Sequence, residues 1–489
     1  MRTNRSYSGD TVTGMSADTV PLTGWGRTAP TAARPTRPRS YEEAVAAVRG
    51  CGARGGIPRG LGRAYGDAAQ NAGGAVFDMT GLDRVHAIDA DGGTVLCGAG
   101  VSLHRLMEVL LPLGWFVPVT PGTRHVTVGG AIGADVHGKN HHVSGSFSRH
   151  VLSFELLTAD GEIRTVRRDT PLFDATTGGM GLTGMILTAT VQLQPVETSV
   201  MSVDTERARD LDDLMARLTA TDHAYRYSVA WIDLLARGAA TGRAVLTRGN
   251  HAPLEALRSS GAPEGGARAR RDASGTRAYR DPSGTRARRD PLAFRTPRFP
   301  APPAFFPDGL LNRTTVGLFN ELWYRTSPRA RTGRLQGIPA FFHPLDGVPH
   351  WNRVYGRGGL VQYQFVVGHG HEETLHRIVR RVSGHRCPSF LAVLKRFGDA
   401  DPGWLSFPVP GWTLAMDLPA GLPGLGALLD EIDDEVAAVG GRVYLAKDSR
   451  LRPELLATMY PRLDDFRALR AELDPRGVFT SDLSRRLAL

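Results

Sequence analysis

The residues best suited to chemistry lie within residues 121–142. This stretch holds five glycines and four histidines, with Lys139 among them. Glycine lets backbone N–H groups come close to a flat or anionic ligand, because no Cβ stands in the way. Histidine and lysine can hold or move protons when their surroundings adjust their pKa. We therefore predict that one segment combines a cofactor cradle with a set of titratable groups.

Three of these histidines, His137, His141 and His142, raise the question of a metal site. Zinc sites usually add cysteine or carboxylate ligands at short, regular spacings. No such partner stands at a fitting spacing here, and the three cysteines of the chain lie far apart without a C-x-x-C pair. We expect neither a metal site nor a disulfide framework.

Two further glycine-rich loops, residues 59–67 and 178–184, lie on either side of this stretch. The later loop satisfies the letters of the dinucleotide fingerprint G-x-G-x-x-G, but that fingerprint requires a helix after the glycines. Residues 188–194 instead alternate between polar and apolar types, as a strand does. We predict a strand there and no Rossmann-type site.

The composition is that of a globular protein. Of its 489 residues, 41% are hydrophobic and 22% are charged, and this length suggests two or three domains. No apolar run reaches the roughly 18 residues that a membrane span needs. The first 21 residues have no apolar core of the secretory type, and we predict a disordered leader there.

The net charge of +10 comes mostly from one insertion. Residues 268–298 contain ten arginines against three aspartates, within a nine-residue repeat that has no apolar face. Such a composition predicts disorder, and we place the insertion at residues 258–298. Two interpretations stay open: a solvated surface loop without a role, or a basic tether to anionic lipid or nucleic acid. The basicity of the whole chain therefore does not indicate a nucleic-acid-binding protein.

Local patterns predict the elements that must position these loops. A capping box at residues 40–43 predicts a helix over 41–48, and a turn at 159–161 predicts a hairpin between strands 151–158 and 162–166. From about Met201 onward, strand-like runs rich in aromatic residues predict an antiparallel sheet whose polar and aromatic face lines a cleft. Apolar residues at helical spacing predict a helix over 425–439.

Several long motifs resemble one known family. They occur in a fixed order, at residues 22–30, 59–67, 121–142, 178–184, 321–325, 362–365, 444–450, 474–479 and 481–487. Together they resemble the vanillyl-alcohol-oxidase-type flavoproteins and, within that family, the decaprenylphosphoryl-β-D-ribose 2'-oxidases. The resemblance extends from about residue 22 to the C-terminus and is interrupted by the arginine-rich insertion.

The resemblance implies an α+β fold with two domains. It implies an FAD-binding domain over residues 22–197, built from two α/β subdomains, and a substrate domain with an antiparallel sheet over 198–442. Residues 443–489 are then expected to return to the FAD-binding domain.

The same resemblance implies an activity. The C2' hydroxyl of a polyprenylphosphoryl-β-D-ribose becomes a ketone while FAD is reduced, as the first half of an epimerisation that makes the arabinose donor for cell-wall arabinan. It further implies an NADH-dependent keto-reductase as partner subunit and a quinone-type electron acceptor, but no nucleic acid. A lipid substrate implies peripheral contact with the inner membrane from the cytoplasm or, alternatively, from the periplasm. An alditol, lactone or sugar oxidase that uses oxygen is the alternative.

The residues implied to hold FAD come mainly from the first two loops. They are Pro58, Arg59, Gly60, Leu61, Gly62, Arg63, Ala64, Tyr65, Gly66, Asp67, Ala68, Gly122, Thr127, Val128, Gly129, Gly130, Ala134, Asp135, Val136, His137, Ile186 and Tyr444. Some relatives tether FAD covalently through a histidine in the first loop. Arg63 occupies that position here, so we expect FAD to be bound non-covalently.

For the chemistry, the resemblance puts Lys447 beside the substrate hydroxyl, where it would hold the alkoxide or take the proton. The sequence alone also permits a solvated turn at this lysine. His137 and Tyr65 are further catalytic candidates, although His137 is as well suited to orienting the flavin. The implied substrate contacts are Gln364, Lys395, Trp231, Thr413 and Lys447.

One departure concerns residues 410–417. Several family members carry asparagine where this chain has Thr413, and cysteine where it has Ala415. The thiol chemistry of that cysteine is therefore not expected here.

Overall fold

A computed structural model describes residues 19–259, 290–296, 299–303 and 307–489. Most of the predicted leader and of the arginine-rich insertion lies outside these ranges. Two parts of those predictions need correction. Val20 and Pro21 already belong to the first strand, and residues 290–296 pack against the body of the protein, where the Ser199 N–H donates to the carbonyl of Pro291. No helix in the described ranges is both long and apolar enough to cross a membrane.

The first half of the chain forms two small sheets and a two-stranded ribbon. The first sheet has the order β1-β2-β4-β3, the second has the order β5-β6-β10-β8-β9, and β7 pairs with β11. The strands are β1 (Val20–Leu22), β2 (Thr31–Thr36), β3 (Gly56–Arg59), β4 (Ala75–Asp78), β5 (Val85–Asp89), β6 (Thr94–Gly98), β7 (Trp115–Phe116), β8 (Val151–Leu157), β9 (Ile163–Arg167), β10 (Met185–Gln192) and β11 (Gln194–Pro195).

The second half contains one antiparallel sheet of eight strands, in the order β15-β12-β14-β13-β17-β18-β16-β19. Its strands are β12 (Val200–Ala208), β13 (Tyr227–Ile232), β14 (Ala244–His251), β15 (Ala330–Gly337), β16 (Leu360–Gly368), β17 (Ala392–Phe397), β18 (Gly411–Pro419) and β19 (Arg442–Val443). The mixture of helices and antiparallel sheets is the predicted α+β class.

Helices cover the sheets and close the chain ends. They are α1 (Tyr41–Arg49), α2 (Leu103–Leu110), α3 (Val128–Gly133), α4 (His141–Ser144), α5 (Pro171–Thr176), α6 (Leu211–Thr221), α7 (Leu254–Ser259), α8 (Arg313–Thr326), α9 (Ile338–Phe342), α10 (Glu372–Gly384), α11 (Leu425–Ala438), α12 (Pro453–Met459), α13 (Leu463–Leu473) and α14 (Asp482–Leu487). One buried apolar cluster runs through the eight-stranded sheet, α10, α11 and the C-terminal helices, while a second fills the space around α2, α3 and β10.

Several local predictions are confirmed. The Ser40 side chain accepts the Glu43 N–H at the start of α1, and the hairpin of β8 and β9 forms as its turn predicts. The glycine-rich loop that ends at Gly184 leads into strand β10 and not into a helix. This confirms the prediction that the loop is not a Rossmann-type site. Helix α3 was not predicted. It forms within the glycine-rich stretch because the Thr127 side chain accepts the Gly130 N–H and caps it.

The C-terminal segment packs on the first small sheet. Gly56 donates to the Val478 carbonyl and accepts from Thr480, so the chain end runs beside β3. Arg486 bridges Asp67 of the first glycine loop and a second carboxylate, Asp448. These contacts connect the last helix to the loop that begins the candidate site.

Candidate active site

A cavity of about 1010 Å³ lies between the eight-stranded sheet and the first two glycine-rich loops. Its volume is at the upper end of the range for small-molecule and cofactor sites. One side is made of side chains from the sheet, and the other is made largely of loop backbone. The cavity can therefore hold a flat ligand against the loops and a second molecule against the sheet.

Five strands contribute a continuous row of side chains to this cavity. Val245, Trp231, Val393, Ala415 and Gln364 are direct cross-strand partners in successive strands, and all five line the cavity. Directly opposed residues on one face lie close together, so the row forms a contiguous surface. Its polar end is Gln364 and its aromatic part is Trp231.

The first loop offers unpaired backbone donors. Within the described ranges, the N–H groups of residues 61–64 donate to no protein acceptor. Gly60 leaves no room for a side chain, because an added Cβ would lie 2.2 Å from Oγ1 of Thr127, and Gly62 has a positive φ of 64°. The loop thus presents bare, conformationally restricted backbone to the cavity, which is the arrangement that binds an anion.

The second loop brings α3 against the first. Gly129 packs so closely on Ala99 that an added Cβ would approach its side chain to 2.9 Å, while Gly122 faces open space. Gly129, Gly130 and Gly133 all line the cavity. The small residues of α3 therefore let the helix backbone itself form part of the cavity surface.

A cluster of titratable groups lies where the loops meet the sheet. The Lys447 Nζ lies 4.0 Å from the centroid of the Tyr65 ring. Burial lowers the pKa of Lys447 to about 8, although the nearby Asp417 carboxylate opposes that shift. Burial also raises the pKa of Asp417 to about 7, and its carboxylate accepts a hydrogen bond from the Gln362 amide. The pKa of Tyr65 is raised well above its ordinary value, first by burial and then by the Asp417 charge.

His137 lies deeper and is neutral. Burial, followed by the charge of Lys395, lowers its pKa well below the ordinary value. The Gln364 amide nitrogen lies 2.9 Å from Nε2 of His137, so Nε2 accepts and the proton is on Nδ1. Within the described residues, that Nδ1 has no hydrogen-bond partner. The aromatic rings of Phe397, Phe407 and Tyr444 surround the imidazole.

Two more lysines line the cavity. Burial lowers the pKa of Lys395 to about 7, and the charges of Lys139 and Lys447 add to the effect. Lys139, whose pKa burial also lowers to about 7, donates to the carbonyl of Phe341. Among the described residues, neither Lys395 nor Lys447 donates to a protein acceptor. The cavity therefore contains amines that can bind an anion or take a proton.

Most of the predicted site residues line this one cavity. They are Pro58, Gly60, Leu61, Gly62, Arg63, Ala64, Tyr65, Ala68, Gly122, Thr127, Gly129, Gly130, Ala134, Val136, His137, Ile186, Tyr444, Gln364, Lys395, Trp231 and Lys447. The structure places six other predicted residues outside the cavity surface: Arg59, Gly66, Asp67, Val128, Asp135 and Thr413.

Three of these six support the first loop from behind. The Arg59 guanidinium donates to two backbone carbonyls, at 2.8 and 2.9 Å, and so holds the loop closed. Gly66 allows close packing, because an added Cβ would lie 1.9 Å from the Asp448 carbonyl oxygen. Asp67 pairs with Arg486. These contacts give the three residues structural roles behind the loop.

The other three are buried behind the second loop and the sheet. Val128 packs into the core on the inner side of α3. The Asp135 carboxylate accepts from the Ser148 N–H and the Ser406 hydroxyl, and does not face the cavity. The fully buried Thr413 hydroxyl donates to a backbone carbonyl and accepts from the Gln364 amide. Thr413 therefore orients Gln364 and does not itself line the cavity.

The sequence reasoning missed Gln362, which lines the cavity, and Asp417, whose carboxylate accepts from the Gln362 amide. A signal existed for both. Alternation along a strand puts Gln362 on the same face as Gln364, and Asp417 on the same face as Ala415. The sequence singled out Lys139 as a titratable group but could not show its burial, which depends on the distant residue Phe341.

These residues fit FAD. The unpaired N–H groups of residues 61–64 suit a pyrophosphate, and the glycine surface of α3 leaves room for a flat ring system. The Arg63 guanidinium carbon lies 3.8 Å from the centroid of the Trp25 ring, and an arginine provides no nucleophile for a covalent tether. No group of three or more histidine, cysteine, aspartate or glutamate residues in the described ranges is arranged for a metal ion.

Comparison with known proteins gives two family matches. Residues 33–167 match the FAD binding domain family, and residues 416–487 match the D-arabinono-1,4-lactone oxidase family. Both matched segments contribute to the cavity described above.

Three similar proteins extend the comparison. The decaprenylphosphoryl-beta-D-ribose oxidase of Mycolicibacterium smegmatis is 44% identical over 96% of this chain and 97% of its own length. An uncharacterized protein in the mprA 5' region of Streptomyces coelicolor is 54% identical over 80% of this chain and 100% of its own. The solved structure of Physcomitrella patens BBE-like 1 shares the fold, with a TM-score of 0.63 at 14% identity over 94% of this chain and 92% of its own.

Proposed function

Because the chain belongs to the FAD-containing family of decaprenylphosphoryl-β-D-ribose oxidases, we propose that it oxidises the C2' hydroxyl of a polyprenylphosphoryl-β-D-ribose to a ketone. The observation that carries this proposal is the Lys447 amine, which faces the cavity without a protein acceptor and has a pKa lowered to about 8. Such an amine can take a hydroxyl proton near neutral pH.

The protein would hold FAD mainly through its own backbone groups. The N–H groups of residues 61–64 would bind the pyrophosphate, and α3 with Gly122 would flank the rest of the cofactor. Tyr444 supports α3 from the C-terminal segment, because its hydroxyl donates to the Ala134 carbonyl at 2.7 Å. When bound, FAD supplies the acceptor for the hydride that leaves the carbinol carbon.

Lys447 removes the proton in this proposal. As the hydride leaves the carbon, the hydroxyl proton passes to Nζ of Lys447 and the C–O bond becomes a double bond. The Tyr65 ring beside Nζ restricts where the amine can lie, and Asp417 sets how readily it becomes neutral. Tyr65 is thus a positioning residue, since its own raised pKa keeps it protonated.

The remaining polar groups would orient the sugar. Gln364, held by Thr413 and His137, offers an amide to a ribose hydroxyl at the end of the cross-strand row. Lys395 would bind an anionic part of the substrate, and Trp231 would pack against an apolar face. The neutral His137 serves to fix Gln364, because its lowered pKa makes it a poor proton acceptor.

The proposal includes the partners that such a reaction needs. An NADH-dependent keto-reductase would reduce the ketone with the opposite stereochemistry to give the arabinose epimer, and a quinone-type acceptor would reoxidise the flavin. We place the reaction at the cytoplasmic face of the inner membrane, with the periplasmic face as the alternative. We assign residues 22–197 and 443–489 to FAD and 198–442 to the substrate.

A second candidate function rests on the match of residues 416–487 to the D-arabinono-1,4-lactone oxidase family. It is the oxidation of a lactone, alditol or free sugar with oxygen as the acceptor. The two candidates differ in substrate and acceptor, but use the same cavity and the same lysine.

The test is an anaerobic titration of the purified flavoprotein. Polyprenylphosphoryl ribose should bleach the visible absorbance of the flavin, whereas xylitol and arabinono-lactone should leave it unchanged, and a soluble quinone should restore it. Bleaching by the free sugars alone would support the second candidate and refute the first. Protein that cannot be loaded with FAD would refute both.

A further inference from the structure

Helix α8 buries Val316 but turns four large apolar residues outward. Its exposed side chains include Leu318, Phe319, Leu322 and Trp323, with relative exposures of 71%, 42%, 60% and 46%. A surface helix of a globular protein normally does the reverse and points such residues at the core. These four residues, at helical spacing, form one continuous apolar strip.

Polar anchors hold the helix in this orientation. The fully buried Asn320 donates to the Asp233 carboxylate at 2.7 Å. On the next turn, the Tyr324 hydroxyl donates to the Ala208 carbonyl at 3.2 Å. Rotating the helix to hide its apolar strip would break both bonds, and the buried Asp233 carboxylate, which Arg243 also binds, would lose the Asn320 donor. The outward apolar strip is therefore built into the fold.

The surroundings of the strip are cationic. Residues 313–336 contain five arginines and one glutamate, Glu321, which is already paired with Arg243 and Arg325. Three arginines of this segment, at positions 329, 331 and 334, are exposed on or beside the edge strand β15. No carboxylate among the described residues lies within ion-pair distance of them. An apolar strip next to unpaired guanidinium groups is complementary to an anionic lipid interface.

The same surface is continuous with the active-site cavity. Trp323, Arg331 and Arg334 are exposed and also line the cavity, as do residues 326–328. The cavity therefore opens beside α8. From that opening, Trp231 and Val245 lead along the sheet toward the catalytic cluster.

We propose that the α8 patch, consisting of Leu318, Phe319, Leu322, Trp323 and the arginines at 329, 331 and 334, docks on an anionic lipid bilayer. The apolar side chains enter the boundary between headgroups and acyl chains, while the guanidinium groups bind headgroup phosphates. The inference rests on the proposed function in one respect: a lipid-linked substrate then reaches the cavity without leaving the membrane.

The test measures binding of the full-length FAD-loaded protein to vesicles by flotation. Vesicles of equal parts phosphatidylcholine and phosphatidylglycerol should float the protein, and phosphatidylcholine vesicles should float much less. The double variant Leu318→Ser with Leu322→Ser should bind the anionic vesicles at least roughly tenfold more weakly, because two apolar side chains are lost. Leu113→Ser, at a residue 51% exposed far along the chain from the patch, is the matched control and should bind like the wild type.

Equal flotation of the wild type and the double variant would overturn the proposal. A wild-type protein that does not bind anionic vesicles would also overturn it. In that case, a concentration-dependent dimer formed by the wild type and not by the double variant would identify the patch as a dimer interface. A second measurement does not use the double serine variant. The fluorescence of Trp323 is obtained as the difference between the spectra of the wild type and Trp323→Phe. Bromine-labelled lipid should quench this fluorescence, and a lack of quenching counts against the proposal.

This test is independent of the reaction. Neither serine substitution lies in the cavity lining, so detergent-solubilised substrate should bleach the flavin of the double variant as it bleaches the wild type. Loss of vesicle binding with intact bleaching supports the docking surface. Failure of bleaching with intact vesicle binding would refute only the proposed function.

Discussion

Lys447 is the residue whose substitution tests the chemistry most directly. Its pKa of about 8 leaves about one molecule in ten with a neutral amine at pH 7, and about one in a hundred at pH 6. If the neutral amine takes the proton, kcat/KM for flavin reduction should rise about tenfold between pH 6 and pH 7 and level off above pH 9. Lys447→Met should lower the rate by about 10²–10⁴ and abolish the rise.

The same substitution should raise stability. The folded-state pKa of Lys447 lies below its ordinary value of 10.5, so the unfolded chain binds more protons between about pH 8 and pH 10.5. Burying the charged amine therefore costs stability below pH 8, and this cost disappears as the pH rises through that window. The full shift corresponds to about 3 kcal/mol, but solvent in the cavity screens a half-buried amine, and about 1–2 kcal/mol is expected. Lys447→Met should gain that amount at pH 7.

The assays are anaerobic stopped-flow reduction of the flavin across pH and thermal unfolding at pH 7. Asp417→Asn provides a directional control: the Asp417 charge raises the Lys447 pKa, so its removal should move the rising limb to lower pH. Lys395→Met removes a neighbouring positive charge, so it should keep the rising limb and move it to higher pH, opposite to Asp417→Asn. A rising limb that survives in Lys447→Met, or that disappears in Lys395→Met, would refute the assignment of Lys447 as the proton acceptor.

Three further predictions follow from the packing of the cavity. Gly60→Ala should weaken FAD binding at least tenfold in a fluorescence titration and destabilise the protein by about 1–3 kcal/mol, because the added Cβ would clash with Thr127. The control is Gly421→Ala, whose added Cβ meets nothing within 4 Å and which should leave both FAD binding and stability unchanged. Ala415→Cys should add one thiol that reacts quickly in FAD-free protein and is protected by substrate; equal labelling with and without substrate would remove Ala415 from the substrate surface. Arg486→Ala leaves two carboxylates without their shared guanidinium, and should lower the free energy of unfolding by about 2 kcal/mol in denaturant titrations at neutral pH.

The loops of the site could be predicted because their requirements are local. Glycines 129 and 130, and the positive φ of Gly62, serve a backbone that must approach a ligand, and such positions are visible as residue types. The strand after Gly184 could also be predicted, since alternation of side chains is a property of neighbouring residues. The contact between the Thr413 hydroxyl and the Gln364 amide could not be predicted, for the complementary reason. Alternation along a strand indicates which face a threonine lies on, but not which side chain of the neighbouring strand its hydroxyl meets.

By itself the amino-acid sequence determined the cofactor class, the two glycine-rich loops and the presence of a lysine near the C-terminus. Only the tertiary structure brought Lys447 to 4.0 Å from the Tyr65 ring and put Asp417 and Gln362 beside them. The altered pKa values of Lys447, Tyr65 and Asp417 arise from burial and from charges on distant segments. Neither cause can be inferred from the residues adjacent to Lys447 in the sequence. The tertiary structure also determines which face of α8 points outward, because Asn320 and Tyr324 hold the helix by hydrogen bonds to Asp233 and Ala208 on other segments of the chain.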